Sequence, residues 1–79
     1  MFGLEKWIDI IKTANGTSVV VDTCHTIDHG WESMVFKCDD NGNITDGYAL
    51  DAKWYDSNGE AYEGHLNMIR KWENKGKLD

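Results

Sequence analysis

The sequence predicts a small α+β domain spanning residues 1–79, ordered α-β-β-β-α, with a three-stranded antiparallel sheet covered by helices on one face. Three observations predict it. Trp31 to Cys38 alternates aromatic, β-branched and polar residues long enough to cross a domain, placing Met34, Phe36 and Cys38 on one face and Trp31, Ser33 and Val35 on the other. A stretch at each end of the chain spaces its apolar residues at the helical period. Two further segments, around Val19-Val20-Val21 and from Tyr48 to Tyr55, have strand character and flank the alternating one.

Leu4, Trp7, Ile8 and Ile11 fall at i, i+3, i+4, i+7, with Glu5, Lys6, Asp9 and Lys12 on the other side, which predicts a short helix over about residues 3–13. Asn15-Gly16 supplies a residue tolerant of positive φ, as a helix C-cap or a turn requires. Ser18 to Cys24 is the next strand, and the turn around His25 to Gly30 returns the chain to Trp31. A hairpin there sets Cys24 opposite Trp31 and Val20 opposite Val35. Asn41-Gly42, inside Asp39 to Asn43, is a second turn signal. Beyond it Tyr48, Leu50, Ala52 and Trp54 alternate with Ala49, Asp51, Lys53 and Tyr55, the pattern of the third strand.

Ser57 with Glu60 three residues later forms a capping-box pattern. On a wheel at ~100° per residue, Ala61, Tyr62, His65, Leu66, Met68, Ile69 and Trp72 fill one arc. Asn74-Lys75-Gly76 ends this helix. His65, in the middle of the arc, reads as a neutral core histidine bonded to a backbone carbonyl or to Ser33.

The chemistry-bearing residues do not assemble into a known reactive pattern. Cys24 and Cys38 sit at opposite ends of adjacent strands, seven positions or ~23 Å apart, far beyond the ~4.4–6.8 Å between α-carbons of a disulfide, so both are expected to be free thiols. Cys24, His25, His29 and Cys38 match no zinc spacing. Asp39, Asn41 and Asn43 have the start of a calcium loop, but Ile44 and Leu50 stand where glycine and glutamate are needed. Cys24-His25 on a strand would point to opposite faces, and no Gly-rich phosphate loop is present, so neither catalysis nor a cofactor or metal is expected.

Charge is more informative. The chain carries 8 basic and 14 acidic residues, a net of −6. Between Thr13 and Ile69 stand ten acids (Asp22, Asp28, Glu32, Asp39, Asp40, Asp46, Asp51, Asp56, Glu60, Glu63) and only Lys37 and Lys53, a local charge of −8 that leaves +2 for the two ends. Such a body repels phosphate backbones, which argues against direct nucleic-acid binding. It attracts a basic protein groove, with Asp39, Asp40, Asp46, Asp51 and Asp56 as the candidate contacts. No apolar run approaches the ~18 residues of a membrane span, and Met1 to Lys6 lacks a leader pattern, so a cytoplasmic location in the host cell is expected. The uncovered sheet face leaves room for oligomerisation or strand addition.

Trp31-Glu32-Ser33-Met34-Val35-Phe36, Leu50-Asp51 with Tyr55, and Glu60-Ala61-Tyr62-Glu63-Gly64-His65 with Met68-Ile69 and Trp72 resemble a family of small phage and prophage proteins. That family carries a Tyr-Glu-Thr-Met-Val-Phe-like strand and a Glu-Ala-x-x-Gly-His helix. The resemblance covers roughly residues 31–72, with Trp31 in place of Tyr and Ser33 in place of Thr. It implies a phage or mobile-element origin. The acidity is similar to that of anti-CRISPR proteins that imitate nucleic acid, so the expected function is inhibition of a host nucleic-acid-handling or defence enzyme, such as a Cas nuclease, by occupying its basic channel. The alternatives are sequestration of a signalling nucleotide by Trp54, Tyr55, Lys53 and Arg70, or a structural or regulatory phage role.

Overall fold

The computed structural model describes residues 6–28 and 30–77, and places four strands before one helix. Strands β1 (Lys6–Lys12), β2 (Ser18–Thr26), β3 (Gly30–Lys37) and β4 (Asp51–Tyr55) form an antiparallel meander in sequence order, and α1 (Asn58–Glu73) lies across one face. The α-β-β-β-α expectation is therefore corrected to β-β-β-β-α. The segment read as an N-terminal helix is β1 from Lys6 onward, and its expected first residues, 3–5, lie outside the described ones. Trp7, Asp9 and Ile11 point toward α1 with their β2 partners Thr23, Val21 and Val19, whereas Ile8 and Ile10 point to the open side. Asn15-Gly16 makes the β1–β2 turn, with Gly16 at φ +90° and its amide donating to the Thr13 carbonyl at 2.9 Å.

The alternation of β3 holds: Trp31, Ser33 and Val35 are buried while Met34 and Phe36 occupy the other face. The β2–β3 register is one residue away from expectation, with His25 opposite Trp31, Cys24 opposite Glu32 and Val21 opposite Val35. Cross-strand partners share a face, so the observed register unites Val21 and Val35 under the helix, whereas Val20 opposite Val35 would have turned Val19, Val21 and Thr23 to the open face. The last strand is shorter than expected. Asp39 to Gly42 forms a turn and Ile44 bridges Cys38, but pairing then lapses until the Leu50 amide reaches the Val35 carbonyl at 2.7 Å.

Helix α1 forms where its local signals place it. Ser57 caps it by accepting the Glu60 amide at 3.2 Å, Arg70 and Lys71 occupy the last turn, and Asn74 closes it before Gly76 turns at φ +84°. Ala61, His65 and Met68 are buried as the wheel requires. Gly64, which is not part of the apolar arc, is buried as well, because the Tyr55 ring lies where its Cβ would be. Val19, Val21, Val35 and Met68 make the core, with Ile11, Ile69 and Trp72 packed on it. Among the described residues, no helix is long and apolar enough to cross a membrane.

Candidate functional site: a buried relay, an open face and an acidic turn

A chain of side-chain hydrogen bonds crosses the interface between sheet and helix. The Tyr55 hydroxyl donates to Ser33 Oγ at 3.1 Å; Ser33 and Thr23 hydroxyls are 2.5 Å apart; Thr23 Oγ1 meets His65 Nδ1 at 2.6 Å; and His65 Nε2 meets Asp9 Oδ2 at 2.7 Å. Each link follows from register. Thr23 and Ser33 are a direct cross-strand pair, Trp7 and Lys53 extend that row, Tyr55 sits one inward position along β4 opposite Trp31, and Asp9 sits one inward position along β1. With Tyr55 donating to Ser33, one arrangement satisfies the whole chain: the Ser33 proton to Thr23, the Thr23 proton to Nδ1, and Nε2–H to Asp9. Every buried donor and acceptor in the relay is thereby satisfied.

Asp, His and Thr in line resemble an orienter, base and nucleophile. Thr23 and Ser33 are both 0% exposed, however, so no substrate reaches either hydroxyl. The relay instead joins β1, β2, β3, β4 and α1 through one polar seam. Beside it an aromatic group closes the same end of the sheet: Trp31 stacks on Trp7 and on His25, each with ring centroids 5.0 Å apart, and Tyr62 meets Trp7 edge-on at 5.6 Å.

Among the described residues, no helix covers the opposite face of the sheet. Ile8 is 53% exposed, Ile10 50% and Trp54 59%, with Met34 and Phe36 half-buried between them. Two acids sit in this face. Asp22 is bridged to Lys6 at 3.6 Å through one oxygen while its Oδ1 finds no hydrogen-bond partner among the described residues, and Glu32 lies between Cys24 and Trp54. Burial and the Asp22 and Glu32 charges all push the Cys24 thiol up.

The five candidate aspartates do not converge. Asp39 and Asp40 sit in the turn beyond the Lys37 end of β3, Asp56 follows Tyr55 beside the Trp31 end, and six residues of strand, ~20 Å, separate those ends. Asp39 accepts the Asn41 and Asn43 amides at 2.9 Å each and Asn43 Nδ2 at 3.2 Å. Those bonds, the Asn43 amide foremost, hold its carboxyl below the usual range. Asp40 accepts Ser18 Oγ at 2.9 Å and pairs with Lys12 at 3.6 Å while staying exposed. Asp46 is exposed and in no ion pair among the described residues. Asp51 faces the helix, accepting Lys71 Nζ at 2.7 Å and Trp72 Nε1 at 2.9 Å, and so organises the fold instead of facing a partner.

Three other sequence expectations meet the geometry. Cys38 stands beside Ser18, six positions along β2 from Cys24, and both thiols are free. No three His, Cys, Asp or Glu side chains converge on a metal-sized space among the described residues; of the zinc set, His29 lies outside them. Lys53 and Tyr55 share the helix side of β4, but Trp54 faces the open side and Arg70 bonds Asn67 on the outer surface of α1, so the four residues proposed for a nucleotide are not brought together. Asp9 and Thr23 escaped the sequence reading as partners of His65, and Tyr55 as the partner of Ser33. Small polar residues at inward strand positions were their signal. No protein-family model, curated protein or solved structure matches this chain.

Proposed function

We propose that this chain is a small acidic binding protein of phage type that inhibits a host nucleic-acid-handling or defence enzyme by occupying a basic channel. The observation that carries this reading is the Asp39-Asp40 turn. Both carboxylates are exposed, and each is held by hydrogen bonds, so two anions are presented at fixed positions with little ordering left to complete on binding. The same turn adjoins the open sheet face, because Gly42 packs against Ile10. A partner with a basic channel and an apolar rim would meet charge and apolar surface together at this turn, and Asp46 and Asp56 offer further carboxylates, Asp56 at the far end of the sheet. Asp51 is committed to Lys71 and Trp72, so it supports the fold and leaves the contact to the other four.

The test uses purified nucleases with basic channels, Cas nucleases among them. Inhibition should be competed by duplex DNA, and association should slow as salt rises, since exposed charges are screened over ~8–10 Å. Asp40→Asn should slow association more than it speeds dissociation. Salt-independent association, or inhibition that persists under saturating DNA, would remove the basis for mimicry.

A further inference from the structure

The cleft between β4 and α1 carries two lysines against one carboxylate in a chain that is otherwise strongly acidic. Lys53 and Lys71 both line it, with Asn67 on the helix and Tyr55 and Met68 as walls, around a volume of about 250 Å³. The hydrogen-bond accounting is one-sided. Asp51, the acid at the rim, has both oxygens engaged: Oδ1 by its neighbour's amide at 2.9 Å, Oδ2 by Lys71 and Trp72. Lys71 spends one of its three N–H groups on that contact and keeps two. The Asn67 carbonyl oxygen is taken by Arg70 Nη1 at 3.1 Å, which leaves the amide hydrogens uncommitted. Lys53 is in no ion pair among the described residues; its ammonium lies 5.9 Å from the centre of the Tyr55 ring. The Tyr55 hydroxyl donates inward to Ser33. What the cleft offers a visitor is therefore donors, two of them charged, beside an aromatic face and a thioether.

The floor is built for this shape. Tyr55 can lie against the helix only because position 64 has no side chain, and its hydroxyl is pinned by the relay, so the ring is a fixed wall. The volume lies below the ~300–1,000 Å³ of drug-sized sites.

We propose that this cleft binds a small organic carboxylate, its carboxyl group held by Lys53, Lys71 and the Asn67 amide and its flat or apolar body laid on Tyr55 and Met68. The site is separate from the open face and independent of the docking reading above.

Benzoate serves as the probe, with benzyl alcohol as the same body without charge and inorganic phosphate as the charge without a body. Amide chemical shifts of the ¹⁵N-labelled full chain should move saturably with benzoate at Lys53, Gly64, Asn67 and Lys71, and each comparison compound should bind at least ~tenfold more weakly. Lys53→Met, an exposed position, should weaken benzoate about fivefold, the upper range for a partly exposed ion pair, without moving the urea midpoint. Shifts that never saturate, shifts centred on Ile8 and Trp54, or equal affinity for benzyl alcohol would overturn the proposal. Phosphate binding as tightly as benzoate would overturn the apolar half of the recognition, and an unaffected Lys53→Met would overturn the ionic half.

Discussion

Thr23→Val tests the relay most directly, because valine keeps the shape of threonine and deletes only its hydroxyl. Two buried groups lose their Thr23 partner at once: the Ser33 hydroxyl and His65 Nδ1. Both lie in a region from which water is excluded, Ser33 at 0% and His65 at 3% exposure. A buried polar group stranded in this way costs ~1–3 kcal/mol, so the pair predicts a loss of about 2–6 kcal/mol. A 79-residue domain holds only about 4–12 kcal/mol in total, at ~0.05–0.15 kcal/mol per residue. Even the lower bound would lower Tm by about 8–16 °C. The comparison variant is Tyr55→Phe, which removes one half-buried terminal bond and should cost only ~0.5–1.5 kcal/mol. Urea unfolding followed by tryptophan fluorescence and by circular dichroism gives both values. If the bonds act as one network, Thr23→Val and Ser33→Ala together cost less than the sum of the separate changes, by ~0.5–3 kcal/mol. A Thr23→Val loss below ~1 kcal/mol, or strict additivity with Ser33→Ala, would refute the assignment of these hydroxyls to a single satisfied chain.

Two further outcomes follow from side chains at the edge of the same core. Burial pushes the Asp51 carboxyl up, but the hydrogen bonds from Lys71 and Trp72, the Lys71 charge and the Ala52 amide outweigh it and hold the carboxyl below its ordinary 3.8. Its contribution to stability is therefore full above that value and is lost as pH falls through the lower folded value; Asp51→Asn should flatten the acid limb of the urea midpoint against pH, and parallel limbs would count against the Lys71–Asp51–Trp72 cluster. Burial first, and neighbouring acids second, raise both thiols, so Cys24 and Cys38 should alkylate slowly in the folded chain at neutral pH and completely once it is unfolded without reductant. An intact bridge by mass spectrometry would contradict a register that keeps them ~20 Å apart along β2.

The parts of this fold that could be read from sequence are those whose causes are local. Ser57 and Glu60 signal a helix start through a contact between near neighbours, and α1 begins beside them. The alternation from Trp31 to Phe36 has one consistent inward set, and β3 buries it. Register is a property of two strands at once, and a count of turn residues between Cys24 and Trp31 does not fix it; the pairing that unites Val21, Val35, Thr23 and Ser33 on one face does. The relay was half legible for a similar reason. His65 on an apolar arc demands a polar partner, and Ser33 was an inward candidate, but the nearer hydroxyl of Thr23 and the Asp9 carboxylate become visible only once β1 is a strand.

The misread first segment explains itself physically and bears on function. Trp7-Ile8-Asp9-Ile10-Ile11 satisfies two periods, because an apolar residue stands at i, i+1, i+3 and i+4. Read as a helix, Asp9 faces solvent; in the strand it faces inward and meets His65, so the one polar residue in this run is the one with a buried partner to reach. The three valines of β2 decide between the readings. Val19, Val20 and Val21 are buried from both sides, and in a three-stranded sheet β2 would have been an edge with its backbone donors and acceptors unpaired along that run. A fourth strand outside it removes that cost, and Lys6 and Lys12 then guard the new edge. Once β1 takes that place, Ile8 and Ile10 have no helix to pack under and remain half exposed beside Val20 and Phe36, next to the acidic turn that folds onto Ile10. The apolar residues that imitate a helix in the sequence are thus the ones the open face exposes, and Ile8→Ser with Ile10→Ser would test the proposed docking there apart from the core, since neither side chain contributes to the packing of Val19, Val21, Val35 and Met68.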